Sequence, residues 1–158
     1  MRERVFIIGL REDVESAWTW PKPVCRTKGE RISIAAALDG LPDPRSEENR
    51  IPDHVFMDGA RTYAGNTGSD VSLPSKTVKA GAHGVPGGEN TIVLDNGSVR
   101  YYTVRESARI QTFPDDYVFS SSWTESMRQI GNAVPVKLAH IVGASIHDTM
   151  ERMKQNAG

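Results

Sequence analysis

Helix boundaries in the C-terminal third of the chain are the feature that most constrains its fold. Thr103 and Glu106 have the Thr-x-x-Glu spacing of a capping box, which predicts that a helix begins at Val104. Pro114 is expected to end this helix, since the residue before a proline avoids the helical conformation. From residue 100 onward the chain is therefore predicted to be regular and helical.

The same spacing recurs at Ser122 and Glu125 and predicts a second helix, which should end at Gly131-Asn132 in a left-handed conformation. Pro135 is well placed in the first turn of a third helix. On that helix, one apolar face at helical spacing is predicted to be core: Leu138, Ile141, Val142, Ile146, Met150 and Met153. The break between helices at residues 129–135 could hold a polar ligand next to the start of a helix. Taken alone, however, the segment favours a simple helix–helix corner without a ligand.

The N-terminus predicts a buried strand that carries two cations. Residues 5–8 are a continuous apolar run, which is typical of a strand covered on both faces in a parallel sheet. Arg2 and Arg4 alternate, so both guanidinium groups leave the same face. They could form an anion clamp or an electrostatic catalytic device, whereas the segment alone favours a solvated strand end.

The stretch from about residue 18 to residue 97 is rich in Pro, Gly, Asp, Asn and Ser, which predicts an irregular region of loops and short strands. Within it, Ser33 is expected to cap a short helix that Gly40 ends. Residues 73–93 combine four glycines with Lys76, Lys79 and His83. Such a loop can approach a duplex closely and neutralise phosphates, but taken alone it favours a surface loop without a partner.

Composition excludes several classes of protein. Of the 158 residues, 38% are hydrophobic and 25% charged, and the net charge is −1, so nucleic-acid binding would need a local basic surface. No apolar run is long enough to span a bilayer, and no signal-peptide pattern is seen. Cys25 alone cannot form an internal disulfide and fits a reducing cytoplasm. The histidines show no metal-ligand spacing, so no metal is assigned.

Four features follow one another along the chain: an R-x-R apolar strand, a long irregular region, RYYTVRESARIQTFPDDYVF and RQIGNAVPVKLA. This order resembles the C-terminal portion of the DNA (cytosine-5)-methyltransferases of the bacterial restriction–modification type. That family ends with a Q-x-R-x-R strand, a variable target-recognition region, a segment R-x-[LI]-[ST]-x-R-E-x-[AS]-R-[IL]-Q-x-[FY]-P-D and a segment G-N-[AS]-V-P. The resemblance covers essentially the whole chain, with the middle matching mainly in kind, and the strand's glutamine has no counterpart here.

The resemblance implies an α/β fold. It would be a partial, Rossmann-like core of a methyltransferase that depends on S-adenosylmethionine, with an inserted irregular α+β target-recognition domain. Residues 1–17 and 99–158 would belong to the catalytic core, and residues 18–98 to the recognition region. We expect one or two strands and three helices in the core, with an exposed sheet edge that makes the isolated chain marginally stable or oligomeric.

The resemblance also implies roles for individual residues. Arg4 would reach O2 of a flipped cytosine, and Arg2 would support the neighbouring acid or phosphate; attack at C6 builds negative charge that a fixed guanidinium stabilises. One side of the S-adenosylmethionine pocket would be closed by Asn132, Ala133 and Val134. Double-stranded DNA would be contacted by Lys76, Thr77, Val78, Lys79, Gly81, His83, Gly87 and Gly88. The residues expected to be structural, or phosphate contacts at most, are Arg105, Glu106 and Arg109.

Three parts of the family pattern are missing from this sequence. The catalytic cysteine follows a proline in the family, whereas Cys25 follows Val24 and lies after the R-x-R strand. The base partner lies in a Glu-Asn-Val segment, and Glu89-Asn90-Thr91 only superficially matches it. The glycine-rich cofactor loop after a first strand is absent as well.

The sequence therefore predicts a C-terminal part, or small subunit, of a cytosine-5 methyltransferase in a bacterial cytoplasm, without membrane or metal. It would need an N-terminal half that carries the Pro-Cys loop and would be inactive alone. The alternative is a DNA-binding remnant of a truncated methyltransferase that has no catalytic role.

Overall fold

A computed structural model describes residues 5–11, 18–25, 27–65, 67–80 and 90–156. The structure is α/β, and a 3-10 turn at Lys28–Glu30 precedes its other elements. These are, in chain order, α1 Ile34–Ala37, β1 Ser69–Asp70, β2 Thr91–Val93, β3 Val99–Tyr101, α2 Val104–Ile110, α3 Trp123–Asn132 and α4 Val136–Asn156. In the described ranges, no helix combines the length and the apolar character needed to cross a bilayer.

The three short strands form one mixed sheet in the order β1-β2-β3. β1 pairs with β2 in parallel, with Ser69 opposite Ile92, and β2 pairs with β3 in antiparallel register, with Ile92 opposite Arg100. Gly97 has a φ of 77°, and its amide bonds to the carbonyl of Leu94, which closes the turn between β2 and β3. Among the described residues the sheet is therefore mixed, with β1 and β2 as its parallel pair.

The predicted helix starts are confirmed. Ser33 caps α1 by accepting from the amide of Ala36, and Gly40 follows this helix with a φ of 77°. Thr103 and Glu106 form the reciprocal capping box of α2. The side chain of Ser122 accepts from the amide of Glu125 at the start of α3.

The predicted helix ends are partly wrong. α2 ends at Ile110, before Pro114, because Thr112 adopts a left-handed φ of 61° and the amide of Phe113 bonds to the carbonyl of Ala108. α3 includes Gly131 and Asn132, and neither has a positive φ. Its C-cap is an extended Ala133, whose amide still bonds to the carbonyls of the last turn.

The core forms where the sheet packs against α1, α2 and α3. Tyr102 and Ala108 are fully buried, and Ile34 from α1 and Ile130 from α3 close the same cluster. Nine buried residues make up this cluster: Ile34, Val78, Ile92, Tyr102, Val104, Ala108, Phe119, Met127 and Ile130. The core therefore joins the predicted recognition region to the C-terminal helices.

Two predicted core features differ in the structure. Residues 5–11 form no strand, and Val5 and Ile7 are 87% and 90% exposed, because a parallel strand needs neighbours to pair with. On α4 only Val142 of the predicted apolar face is buried, while Leu138 and Met150 are exposed. Helical spacing predicts an apolar face correctly, but it does not tell which chain covers that face.

Candidate functional site

The segment from Lys76 to Lys79 is fixed to the core through Val78. This side chain is only 2% exposed and lies in the main cluster, while Thr77 is half-buried and both lysines are exposed. In extended chain, neighbouring side chains point in opposite directions, so burying Val78 turns its neighbours outward. The segment thus presents two cations and a hydroxyl beside a buried anchor.

Hydrogen bonds hold the N-terminal end of this segment. The amide of Lys76 donates to Ser69 Oγ at 3.2 Å, and its Nζ donates to Thr67 Oγ1 at 3.0 Å. Ser75 Oγ lies 3.2 Å from Tyr102 Oη. Burial raises the pKa of the Tyr102 phenol, and the hydrogen bond between Tyr102 and Ser75 opposes that rise in part.

Asn90 holds the other end of the segment. Its Oδ1 accepts from the amide of Lys79 at 3.1 Å, and its Nδ2 donates to the carbonyl of Lys79 at 3.4 Å. The carbonyl of Asn90 in turn accepts from the amide of Tyr102 at 3.0 Å. The Asn90 side-chain amide thus pairs with both main-chain groups of Lys79 and joins the two chain segments on either side of residues 81–89.

The corner at residues 129–135 is anchored by α2. Gln111 donates from Nε2 to the carbonyl of Ile130 at 3.2 Å, and the carbonyl of Gln111 accepts from the amide of Val136 at 3.1 Å. The amide of Lys137 donates to Thr112 Oγ1 at 2.9 Å. The first amides of α4 are therefore already paired and are not available to an anion.

Two polar groups at this corner remain available. Asn132 is exposed, and its side-chain amide has no hydrogen-bond partner among the described residues; the same holds for the backbone amide of Val134. Ala133 lies between them, half-buried, with its own amide bonded to α3. A small polar ligand could be held between an adjustable side-chain amide and a fixed N–H group.

Gly131 brings the corner and the recognition segment together. A Cβ atom placed on Gly131 would lie 2.6 Å from the amide nitrogen of Ala80 and 2.7 Å from the carbonyl carbon of Lys79. Helix α3 thus packs directly on the main chain of Lys79 and Ala80. The residue that follows Gly131 is Asn132, so the two parts of the site are one residue apart.

The charged residues of α2 have structural roles. Arg105 is fully buried and donates to the carbonyls of Pro52, Pro114 and Tyr117, with Asp53 at 3.6 Å. Such a buried guanidinium cannot contact a phosphate, and it ties the loop before the sheet to the turn after α2.

The other two charged residues of the helix are also paired. Glu106 accepts both bonds of a bidentate pair from Arg100, at 2.7 and 2.6 Å. Arg109 pairs with Asp115 at 2.7 Å and lowers the pKa of that carboxyl. Arg105, Glu106 and Arg109 thus all bond within the chain, in line with the predicted structural role.

A cleft of about 780 Å³ lies between α1, the end of α2 and the start of α4. Its lining includes Ile32, Arg109, Thr112 and Lys137 and is largely apolar. Among the described residues, none of those predicted to bind DNA or cofactor lines it. In the part of the chain that is described, no group of three or more His, Cys, Asp or Glu side chains is placed to hold a metal.

Comparison with known proteins identifies the family. The model of the C-5 cytosine-specific DNA methylases matches residues 1–148. The chain belongs to this family. The match includes the R-x-R sequence at the N-terminus, the segment Lys76–Lys79, α2 and the corner described above.

Curated relatives of this chain include several type II methyltransferases. The chain is 32% identical to the type II methyltransferase M.MthTI of Methanothermobacter thermautotrophicus, over 95% of this chain and 52% of the relative. It is 31% identical to M.NgoPII of Neisseria gonorrhoeae, over 96% of this chain and 52% of the relative. A shorter match, 48% identical over 35% of this chain, is to M.Eco47II of Escherichia coli. The chain spans about half the length of M.MthTI and M.NgoPII.

Several residues predicted for the DNA methylase site lie outside the described ranges: Arg2, Arg4, Gly81, His83, Gly87 and Gly88. Their roles stay predictions. The described ones form two adjoining groups, with Lys76–Lys79 on one side of Gly131 and Asn132–Val134 on the other. Asn90 and Gly131 were missed as site residues, because their partners are distant in sequence or are main-chain atoms. For Asn90 the only signal was a misleading match to Glu-Asn-Val.

Proposed function

We propose that this chain is the C-terminal part, or the small subunit, of a DNA (cytosine-5)-methyltransferase. The complete enzyme would transfer a methyl group from S-adenosylmethionine to C5 of a flipped cytosine in a specific DNA sequence. The observation that carries the proposal is the packing of Lys79 and Ala80 on Gly131. This contact puts a cationic, core-anchored segment one residue away from a corner that has available polar groups.

The corner residues fit one edge of a cofactor pocket. S-adenosylmethionine carries a carboxylate, an ammonium and a ribose, and it would supply the methyl group. Asn132 can donate or accept through its side chain, and the amide of Val134 can donate. Ala133 adds little volume between them. These three residues would orient the cofactor from one side only, which leaves the rest of the pocket to another polypeptide segment.

The two N-terminal arginines would act on the target base. A flipped cytosine that is attacked at C6 gains negative charge over the ring and O2. The guanidinium of Arg4 would bind O2 as this charge develops, and Arg2 would hold the neighbouring acid or a phosphate. Lys76 and Lys79 would neutralise phosphates, while Thr77 would help to place the segment in the major groove.

An N-terminal half would supply the nucleophile and cover the apolar surfaces left open here. Val5 and Ile7 are 87% and 90% exposed, and Leu138 and Met150 on α4 are 37% and 55% exposed. An apolar strand segment without strand neighbours fits the edge of a parallel sheet in another segment. The only cysteine, Cys25, is exposed and bonds to the carbonyl of Thr27, in a loop without the Pro-Cys pattern.

The second candidate function is a DNA-binding remnant without catalysis. The exposed Lys76 and Lys79 favour it, since they would suffice for salt-dependent DNA binding without catalysis. This candidate predicts that no added polypeptide restores methyl transfer.

Complementation separates the two candidates. The chain is mixed with a candidate N-terminal half that carries a Pro-Cys loop, labelled S-adenosylmethionine and duplex DNA. Methyl transfer in the mixture, and in neither half alone, supports the split enzyme. DNA retention at low salt without any transfer supports the remnant. Leu138→Lys should prevent complementation while the fold of the chain is retained, because it places a charge on the apolar face of α4.

Arg4→Ala tests the role of the N-terminal arginines in the reconstituted enzyme. We expect kcat to fall about 100-fold or more, since one fixed donor to a developing charge is worth that much. The dissociation constant for DNA should change only slightly. Arg31→Ala, which removes an exposed cation from a loop, is the matched control and should leave both constants unchanged. Equal losses of turnover and DNA affinity in Arg4→Ala would refute the assigned role.

A further inference from the structure

Gly131 lies inside a helix without a positive φ, so its conformation could be adopted by any residue. Glycine is required here because there is no room for a side chain. A Cβ atom would lie 2.6 Å from Ala80 N, 2.7 Å from Ala80 Cα and 2.7 Å from the carbonyl carbon of Lys79. All three atoms are main chain, so no side-chain rotation can relieve the clash.

The two segments that meet at this contact, α3 and residues 79–80, differ in burial. On the α3 side, Ile130 is fully buried and its carbonyl accepts from Gln111. On the other side, Ala80 is half-buried and Lys79 is exposed. The main chain of Lys79 forms two hydrogen bonds with the Asn90 side chain, at 3.1 and 3.4 Å. An added methyl group would therefore displace residues 79–80 and leave the helix in place.

We propose that Gly131 is a positioning residue that sets the distance between the recognition segment and the cofactor corner, with Asn90 as its counterpart across Lys79. This inference rests on the proposed function for its catalytic consequence, although the packing itself does not depend on it. Van der Waals contact between heavy atoms begins at about 3.5 Å, so an alanine would push the main chain of Lys79–Ala80 away by about 1 Å. A shift of that size at a positioning contact can cost about 100-fold in rate.

The test compares Gly131→Ala with Gly143→Ala. Both glycines lie within helices, where alanine is favoured by about 1 kcal/mol, but a Cβ on Gly143 meets nothing within 4 Å. Amide hydrogen exchange of the full chain is measured first. Gly131→Ala should speed exchange at the amide of Lys79 by about tenfold, because the bond to Asn90 opens more often. Gly143→Ala should leave that amide unchanged.

Methyl transfer by the reconstituted enzyme is measured next, on the cognate DNA sequence and on one with a single changed base pair. For Gly131→Ala we expect the ratio of the two kcat/KM values to fall about tenfold. The dissociation constant for S-adenosylmethionine should stay within about twofold, since the corner stays with α3. A loss of stability alone would lower both kcat/KM values together and leave their ratio unchanged.

Each outcome decides a separate claim. Unchanged exchange at Lys79 in a folded Gly131→Ala variant overturns the packing inference. Faster exchange with an unchanged cognate preference overturns the positioning role. If the wild-type mixture transfers no methyl group, the proposed function fails, while the exchange result still decides whether Gly131 holds residues 79–80. If Gly131→Ala does not fold, Asn90→Ala releases the main chain of Lys79 from its other side without adding volume. The same fall in the preference for cognate DNA is expected of it, and an unchanged preference would overturn the positioning role.

Discussion

Replacing Glu106 by alanine removes the acceptor at the centre of a buried charge network. The Glu106 and Arg100 side chains are only 2% and 11% exposed, and two hydrogen bonds of 2.7 and 2.6 Å join them. Glu106 also accepts from the amide of Thr103 at 2.9 Å. The variant would leave a largely buried guanidinium without its counter-ion and an amide without its cap.

The size of the loss follows from these contacts. Removing one partner of a buried ion pair costs about 3–5 kcal/mol. Arg100 retains a bond to the carbonyl of Tyr101 at 3.1 Å, so we expect the lower end of that range, about 3 kcal/mol. Domains of this size are stable by about 5–15 kcal/mol, so the loss is a large fraction of the total.

Urea unfolding, followed by circular dichroism at neutral pH, measures this loss. With a denaturant slope of about 2 kcal/mol per molar, the midpoint of Glu106→Ala should fall by about 1.5 M. Glu125→Ala changes the equivalent position of α3, where the carboxylate pairs with an exposed Arg128, and should shift the midpoint far less. Glu106→Gln retains an oxygen for the Thr103 amide and should fall between the two. The reasoning fails if Glu106→Ala and Glu125→Ala shift the midpoint equally.

Two further changes test the buried polar groups. Arg105→Lys should lower the free energy of unfolding by about 3 kcal/mol, because an ammonium cannot reach all the carbonyls that the guanidinium bonds to. Arg109→Lys, at the more exposed ion pair with Asp115, should lower it by about 1 kcal/mol or less. Similar losses for the two variants in urea unfolding would contradict this. Burial raises the pKa of Tyr102 in the folded state, so its contribution is fully present below the ordinary tyrosine pKa of about 10 and is lost as pH rises above it. Tyr102→Phe should therefore lose less stability than the wild type between pH 8 and pH 11, and parallel curves would refute the assignment.

Local capping chemistry made the helix starts predictable. Ser33, Thr103 and Ser122 each bond to an amide three residues further along, so the interaction is complete within one turn of chain. The helix ends depended on more distant partners. At the end of α2, for example, the left-handed Thr112 receives a bond from the amide of Lys137.

The candidate site also combines features that the sequence predicts with contacts that only the structure shows. Its residue types and their order along the chain were readable, including Lys76–Lys79 and Asn132–Val134, because the family motifs are contiguous in sequence. The contact between Gly131 and Ala80 joins segments 51 positions apart, and Asn90 reaches Lys79 across residues 81–89. No local pattern encodes a requirement for empty space against another segment's main chain.

By itself, the sequence determined where helices α1, α2 and α3 begin, which family the motifs belong to, and that the chain contains no Pro-Cys loop. Only the tertiary structure decided that Arg105 is buried, that residues 5–8 form no strand, and that the recognition segment packs on α3. The physical reason is the sequence separation over which each kind of interaction acts. Capping and motif chemistry act within a few residues, whereas burial, strand pairing and close packing depend on which distant parts of a chain, or of another chain, fill the neighbouring space.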